Sequence, residues 1–303
     1  MKGFYKDSPV RIQFLLLVTF ILIGLTFIFL GILFLKICGL SFDNITGDSF
    51  YANHISQFFS SLLIFLFPAV GTSYLCSRNP GEFLFFKKIT DIRIFILTLL
   101  IVIFISPAID VLSHFNSKMQ LPEFMSQIED IMRKAEDLAR EAVLVLLSKE
   151  GIIPLFVNFF VIAVVAGITE EFFFRGALFS IIGRKIKNPH VVIWIIAFIF
   201  SAIHFQFYGF IPRMLLGALM GYLLYWTGSI WVPVFAHFLN NAIGVISATS
   251  MSDEEFLKMY NSIESEIAPE YMMQAILSAI IGLFLFAFCV IVMKRITSKR
   301  VTA

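Results

Sequence analysis

A chain of 303 residues that is 59% hydrophobic and 15% charged, with a mean hydropathy of +0.89, is not a soluble globular protein; those average about 45–50% apolar and about 25% charged. The net charge of +2 gives no basis for nucleic-acid binding, and no nucleic-acid partner is expected. The 37 phenylalanines suit lipid-facing helices better than the weak alternation of a β-barrel, so an all-α polytopic membrane protein is expected.

Eight apolar stretches are long enough to be spans: 12–35, 57–77, 92–113, 152–182, 190–208, 211–227, 230–248 and 271–293. Each is near the roughly 20 residues a bilayer needs. Lys2, Lys6 and Arg11 precede the run from Ile12 to Leu35, which is too long for a secretory signal and lacks a small-residue cleavage site. It is read as an uncleaved first span. Basic residues then recur at alternate ends of the spans: Arg78, Lys87, Lys88 and Arg93; Arg184, Lys185 and Lys187; Lys294, Arg295, Lys299 and Arg300. The opposite loops carry Asp43 and Asp48, then Asp253, Glu254, Glu255, Glu264, Glu266 and Glu270. The positive-inside rule therefore predicts both termini in the cytoplasm, and the expected location is a bacterial cytoplasmic membrane.

Between the third and fourth spans, Ile128, Ile131, Met132, Ala135, Leu138, Ala139, Ala142 and Leu146 fall at helical period within 122–147, with charges opposite. This predicts an amphipathic helix lying on the outer surface, or a lid over a mouth below it. Ser126-x-x-Glu129 has the form of a capping box. Cys38, Cys76 and Cys289 have neither metal nor disulfide spacing and read as packing residues. Gly217-x-x-x-Gly221 predicts close helix packing. Pro68, Pro107 and Pro212 mark kinks or span ends. His54, His114 and His190 fall at membrane interfaces and carry no functional argument. The expected organisation is 1–150 (three spans and the amphipathic helix), 151–248 (a core of four spans) and 249–303 (an outer loop and the last span).

The most informative stretch is Gly167-Ile168-Thr169-Glu170-Glu171-Phe172-Phe173-Phe174-Arg175-Gly176, inside the fourth span. A charge at mid-bilayer costs roughly 2.5–3.5 kcal/mol on insertion scales. Glu171 and Arg175 are i,i+4 with the acid first, the better order for an ion pair. Glu170 points about 100° away and has no local partner. Two readings stand: a structural ion pair with a spare acid in a wet crevice, or a reactive carboxylate.

His204 lies downstream in an apolar run, and His237 and Asn241 lie i,i+4 in another. Counted at about 1.5 Å per residue from the cytoplasmic edge, Glu170 and His204 both lie about 21 Å deep, Asn241 about 18 Å and His237 about 12 Å. Groups from three spans at overlapping depth can form one site. A carboxylate beside an imidazole can deprotonate water, and a His with an Asn can stabilise an oxyanion. Glu170, His204 and His237 are also a possible zinc set, and a proton relay for coupled transport would use the same three residues.

Glu170-Glu171-x-x-x-Arg175, Phe200-x-x-x-His204 and His237-x-x-x-Asn241 resemble, in order, the three motifs of the CPBP family of intramembrane endopeptidases. That family includes type II CAAX prenyl proteases and bacteriocin-processing and immunity (Abi) proteins. The resemblance covers roughly Leu155 to Val245. It implies a peptidase acting on a peptide or protein substrate in or near the lipid bilayer. Glu170 would be the water-activating base and His204 its partner, His237 and Asn241 the oxyanion stabilisers, and Glu171 and Arg175 the supporting pair. The family has been described both as zinc-dependent and as metal-free. A non-catalytic immunity protein with the same fold is the further alternative.

Overall fold

The computed structural model describes residues 1–41, 46–147, 151–249 and 269–298. Asp43, Asp253, Glu254, Glu255, Glu264, Glu266, Lys299 and Arg300, together with the side chain of Glu270, lie outside the described residues. Much of the acidic half of the orientation pattern therefore falls there.

The described residues form helices and turns, with no strand among them. We number the main helices α1 (Val10–Ile37), α2 (Ser49–Cys76), α3 (Ile92–Ser117), α4 (Ser126–Leu147), α5 (Ile152–Lys185), α6 (Pro189–Ala202), α7 (Phe210–Thr227), α8 (Trp231–Thr249) and α9 (Pro269–Ser298). Among the described residues, seven of these are long and apolar enough to cross a membrane, all but α4 and α6. This is an integral, multi-pass, all-α membrane protein. The fifth expected span is the short one. At 14 residues α6 is about 21 Å long, less than the roughly 30 Å of a hydrocarbon core. It stops at Ala202, so His204 stands in a turn beyond the helix rather than inside a span.

Short polar residues start several of these helices. Asp48 accepts the Phe50 amide at 2.9 Å, Asp91 the Arg93 amide at 3.1 Å, and Asn188 the His190 amide at 3.0 Å ahead of Pro189. These side chains satisfy donors that a helix leaves open at its first turn. Gly228, at φ 65°, ends α7 in the left-handed conformation that glycine adopts without a Cβ clash. The chain turns there into α8, and the Ile230 amide binds Phe85 O at 2.9 Å.

The inside of the bundle is organised on α5. Phe174, Ala177 and Ile181 are fully buried, against Leu17 of α1, Ala69 and Cys76 of α2, and Val192 and Phe200 of α6. A second cluster joins α3, α7, α8 and α9 through Ile94, Ile101, Leu223, Val232, Cys289 and Met293. Apolar residues outside, such as Phe27, Phe29, Phe284 and Phe288, are more than half exposed, as lipid contact requires. In lipid, close packing rather than water exclusion holds helices together. The Gly217 and Gly221 expectation follows that logic. A Cβ on Gly217 would meet Ala197 Cα at 3.3 Å, and one on Gly221 would meet Ile193 Cγ2 at 2.9 Å.

Two other expectations change. Glu129 does not close a capping box on Ser126; its carboxylate reaches back to the Leu121 amide at 3.0 Å and binds Arg133 at 2.8 Å. A 3-10 turn, Glu123–Met125, already leads into α4 and removes the need for that cap. His54 is not at an interface with water but 2% exposed, its Nε2 2.6 Å from Asn158 Oδ1, where it links α2 to α5.

Candidate active site

Two widened π stretches, Phe159–Val165 and Phe172–Leu178, interrupt α5 on either side of Ala166–Glu171. Such insertions shift the helical register and recur at functional sites. Between them Gly167 brings α5 against α8: a Cβ there would stand 3.3 Å from Phe238 N and 3.5 Å from Val234 O. That contact sets the next turn of α5, with Glu170 and Glu171, beside His237.

The four charged or titratable groups form a chain. Arg175 Nη1 donates to Glu171 Oε1 at 2.8 Å, and both side chains are 0% exposed. Arg175 Nη2 donates to Gly217 O at 2.7 Å, and the guanidinium lies 4.7 Å above the Phe200 ring. His237 Nδ1 is 2.8 Å from the same Glu171 Oε1, so it carries the proton and donates. The Nε2 of a neutral His237 is then an acceptor, and it faces Glu170 Oε2 at 3.9 Å. That gap is too long for a direct hydrogen bond, and two bonds of about 2.8 Å to one water span it readily. Glu170, with its side chain 12% exposed, is the accessible carboxylate, and Glu171 is sealed.

His204 joins through Phe200. Its Nδ1 donates to Phe200 O at 2.8 Å, which leaves Nε2 free to accept. The Phe200 ring lies 5.2 Å from the His204 ring and 6.0 Å from the His237 ring. Asn241, one turn beyond His237, donates to Ile162 O in the first π stretch at 2.9 Å. One of its two amide hydrogens is thereby committed to holding α8 on α5.

Residues 152–243 match the family model described as type II CAAX prenyl endopeptidase Rce1-like. That segment is just under a third of the chain, and through it the chain is similar to the CPBP family that the three motifs resemble. It is also similar to the uncharacterized protein YpbD of Bacillus subtilis (strain 168), 33% identical over 78 residues. The match takes in 24% of this chain and 36% of that relative, so the chain spans about a third of its length. No solved structure matches.

The matched segment contains all six residues singled out from the sequence, and the structure links Glu171, Arg175 and His237 directly and sets Glu170 at 3.9 Å from His237. Two participants were not foreseen, and a third, Phe200, was noted only as part of a motif. The Gly217 carbonyl takes a guanidinium hydrogen, although the glycine pair signalled packing alone. The Phe200 ring serves Arg175 and both histidines. Arg213 donates to Gln206 Oε1 at 2.6 Å and lies within electrostatic reach of Glu170 and of Glu136 on α4. An arginine in the first turn of an apolar helix was the available signal for it. Zinc fits less well. Among the described residues no three His, Cys, Asp or Glu side chains are grouped to hold a metal ion.

Proposed function

We propose that this protein is an intramembrane endopeptidase of the type II CAAX kind, which hydrolyses a peptide bond with water activated by Glu170. The observation that carries the reading is the 3.9 Å gap between Glu170 Oε2 and a His237 whose tautomer is fixed by Glu171. A structural ion pair needs only Glu171 and Arg175. The second carboxylate, less buried and facing an acceptor nitrogen, fits a group that handles protons.

In this mechanism Glu170 takes a proton from a water held with His204, and the hydroxide adds to the scissile carbonyl carbon. Glu170 hands that proton to the facing Nε2 of His237, whose new N–H meets the resulting oxyanion together with the free amide hydrogen of Asn241. The proton returns through Glu170 to the amide nitrogen, the C–N bond breaks, and a carboxylic acid and an amine leave, the acid giving its remaining proton to water. Arg175 holds Glu171, and Glu171 holds His237, so the donor geometry is set before substrate arrives. No step is routed through a metal. The substrate is a peptide or protein segment in or near the bilayer. Both termini face the cytoplasm of a bacterial cell, and 151–248 is the catalytic core.

The test is cleavage of a broad peptide library by purified protein in liposomes, comparing wild type with Glu170→Gln, His204→Ala and His237→Ala. Product from wild type and loss of turnover by about 10²–10⁴-fold in all three folded variants is expected. A proton relay would instead move protons with no cleaved product, and a non-catalytic immunity protein would keep its phenotype in Glu170→Gln.

A further inference from the structure

We infer that Asn116, on α3 and outside the matched segment, is a positioning residue for His204. Its side chain clamps the backbone of the turn that carries the histidine.

The turn between α6 and α7 is unusual. Phe205, directly after His204, has φ 53° although it is not glycine. Non-glycine residues in the left-handed region persist only where the surroundings hold them. The Phe205 side chain cannot supply the hold, because it is 80% exposed. On the near side the His204 amide makes only a long backbone bond, to Ser201 O at 3.4 Å, while the Phe205 amide reaches Ala202 O at an ordinary 3.1 Å.

The far side is fixed by side chains. Asn116 Nδ2 donates to Phe207 O at 3.1 Å, and the Ile211 amide donates to Asn116 Oδ1 at 2.8 Å. One amide therefore spans the 3-10 turn Phe207–Gly209, using both a donor and an acceptor. Ser201 Oγ adds a bond to Phe210 O at 2.7 Å. Asn116 is 2% exposed, so water does not compete for these bonds. A residue whose only role was packing would not need both polar ends directed at a single loop. The loop is the one that orients His204 over Phe200 and starts the helix bearing Arg213.

The inference rests on the peptidase reading for its rate effect and on geometry alone for its positional effect, so the experiment reads both. Full-length wild type, Asn116→Ala, Asn116→Asp and Asn116→Ala/Phe205→Gly are assayed in liposomes for kcat and KM. The same samples are labelled with diethyl pyrocarbonate, and His204 carbethoxylation is followed by mass spectrometry. Asn116→Ala is expected to lower kcat about 10- to 100-fold with KM nearly unchanged, and to change the His204 labelling rate several-fold while His237 labelling holds. Asn116→Asp, which keeps the Ile211 bond but sets an oxygen against Phe207 O, should do the same if the alanine variant does not fold. Glycine at 205 removes the strain and should restore part of the rate, a rescue that general destabilisation would not show. Wild-type kcat and labelling in Asn116→Ala overturns the inference, as does a rate loss that follows the folded fraction with His204 labelling unchanged. If wild type cleaves nothing, the peptidase reading falls and the labelling still decides the role of Asn116.

Discussion

His237 donates its Nδ1 proton to Glu171 at 2.8 Å and presents Nε2 to Glu170 at 3.9 Å, so two adjacent carboxylates address opposite sides of one imidazole. The fully buried acid fixes the ring, and the more accessible one faces its free nitrogen. The division follows from helix geometry, since neighbours on a helix diverge by about 100°.

The first prediction tests that division. In Glu171→Gln the oxygen at the Oε1 position can still accept from Arg175, but the charge that keeps the proton on His237 Nδ1 is gone. The other tautomer is then open to the ring, with an N–H, not a lone pair, facing Glu170. We expect kcat to fall by about 10²–10⁴-fold with KM within a few-fold of wild type, a loss of the size that wrong-tautomer variants show. The measurement is steady-state cleavage on samples matched for folded protein. Wild-type kcat in this variant would remove Glu171 from the proton path.

The second concerns Arg175, which is 0% exposed and paired with Glu171. Removing one partner of a buried pair leaves an uncompensated charge, and costs about 3–5 kcal/mol. Arg175→Ala should therefore lower the thermal midpoint in detergent as well as the rate. Replacing both charges, as in Glu171→Gln/Arg175→Met, should recover most of the stability and none of the activity, because stability needs charge balance and turnover needs the carboxylate. An Arg175→Ala protein as stable as wild type would show the pair is not what holds α5 to α7.

A third follows from Gly167. A Cβ at this position would stand 3.3 Å from Phe238 N, a backbone atom that cannot swing aside. Gly167→Ala should push α5 and α8 apart by a few tenths of an ångström and cost about 1–3 kcal/mol. The same movement lengthens the gap between Glu170 and His237, so kcat should drop while peptide KM changes little. Gly183, where a Cβ meets nothing within 4 Å, is the control, and its alanine variant should behave as wild type. Equal behaviour of the two variants would mean that this helix contact does not set the site.

The centre of the site could be read from spacing because its key relation is local. Glu171 and Arg175 are one helical turn apart, and no fold is needed to see them meet. The links that cross between helices were less legible. Phe205-Gln206-Phe207-Tyr208 is apolar enough to continue a span, and α6 ends before it where Asn116, from distant α3, and Ser201, in the last turn of α6, hold the turn. The π stretches in α5 leave no mark in the residue pattern, since they arise where packing forces an extra residue into a turn. The helical nature of α4 was clear from its period, but its docking was not: Tyr208 donates to Glu129 Oε1 at 3.4 Å with Arg133 over its ring at 4.8 Å.

That docking gives the last prediction. The Glu129 carboxyl is held below the usual glutamate range, first by its hydrogen bond from Arg133 and then by that from the Leu121 amide. A depressed folded pKa favours the docked form at every pH above the unfolded value, about 4.3. The contribution is lost as pH falls through the folded value, when the carboxylate is neutralised. The protection of the α4 amides, measured against their intrinsic exchange at each pH, should therefore be high and constant from about pH 5 upward and fall only on acidification below about pH 4. Glu129→Gln should show the low protection at all pH values and no acid step. If α4 also lids the site, product release in that variant should speed up while the Glu170-dependent chemistry is unchanged. Protection in α4 that falls on raising pH, or that ignores Glu129→Gln, would show that this carboxylate does not hold the helix down.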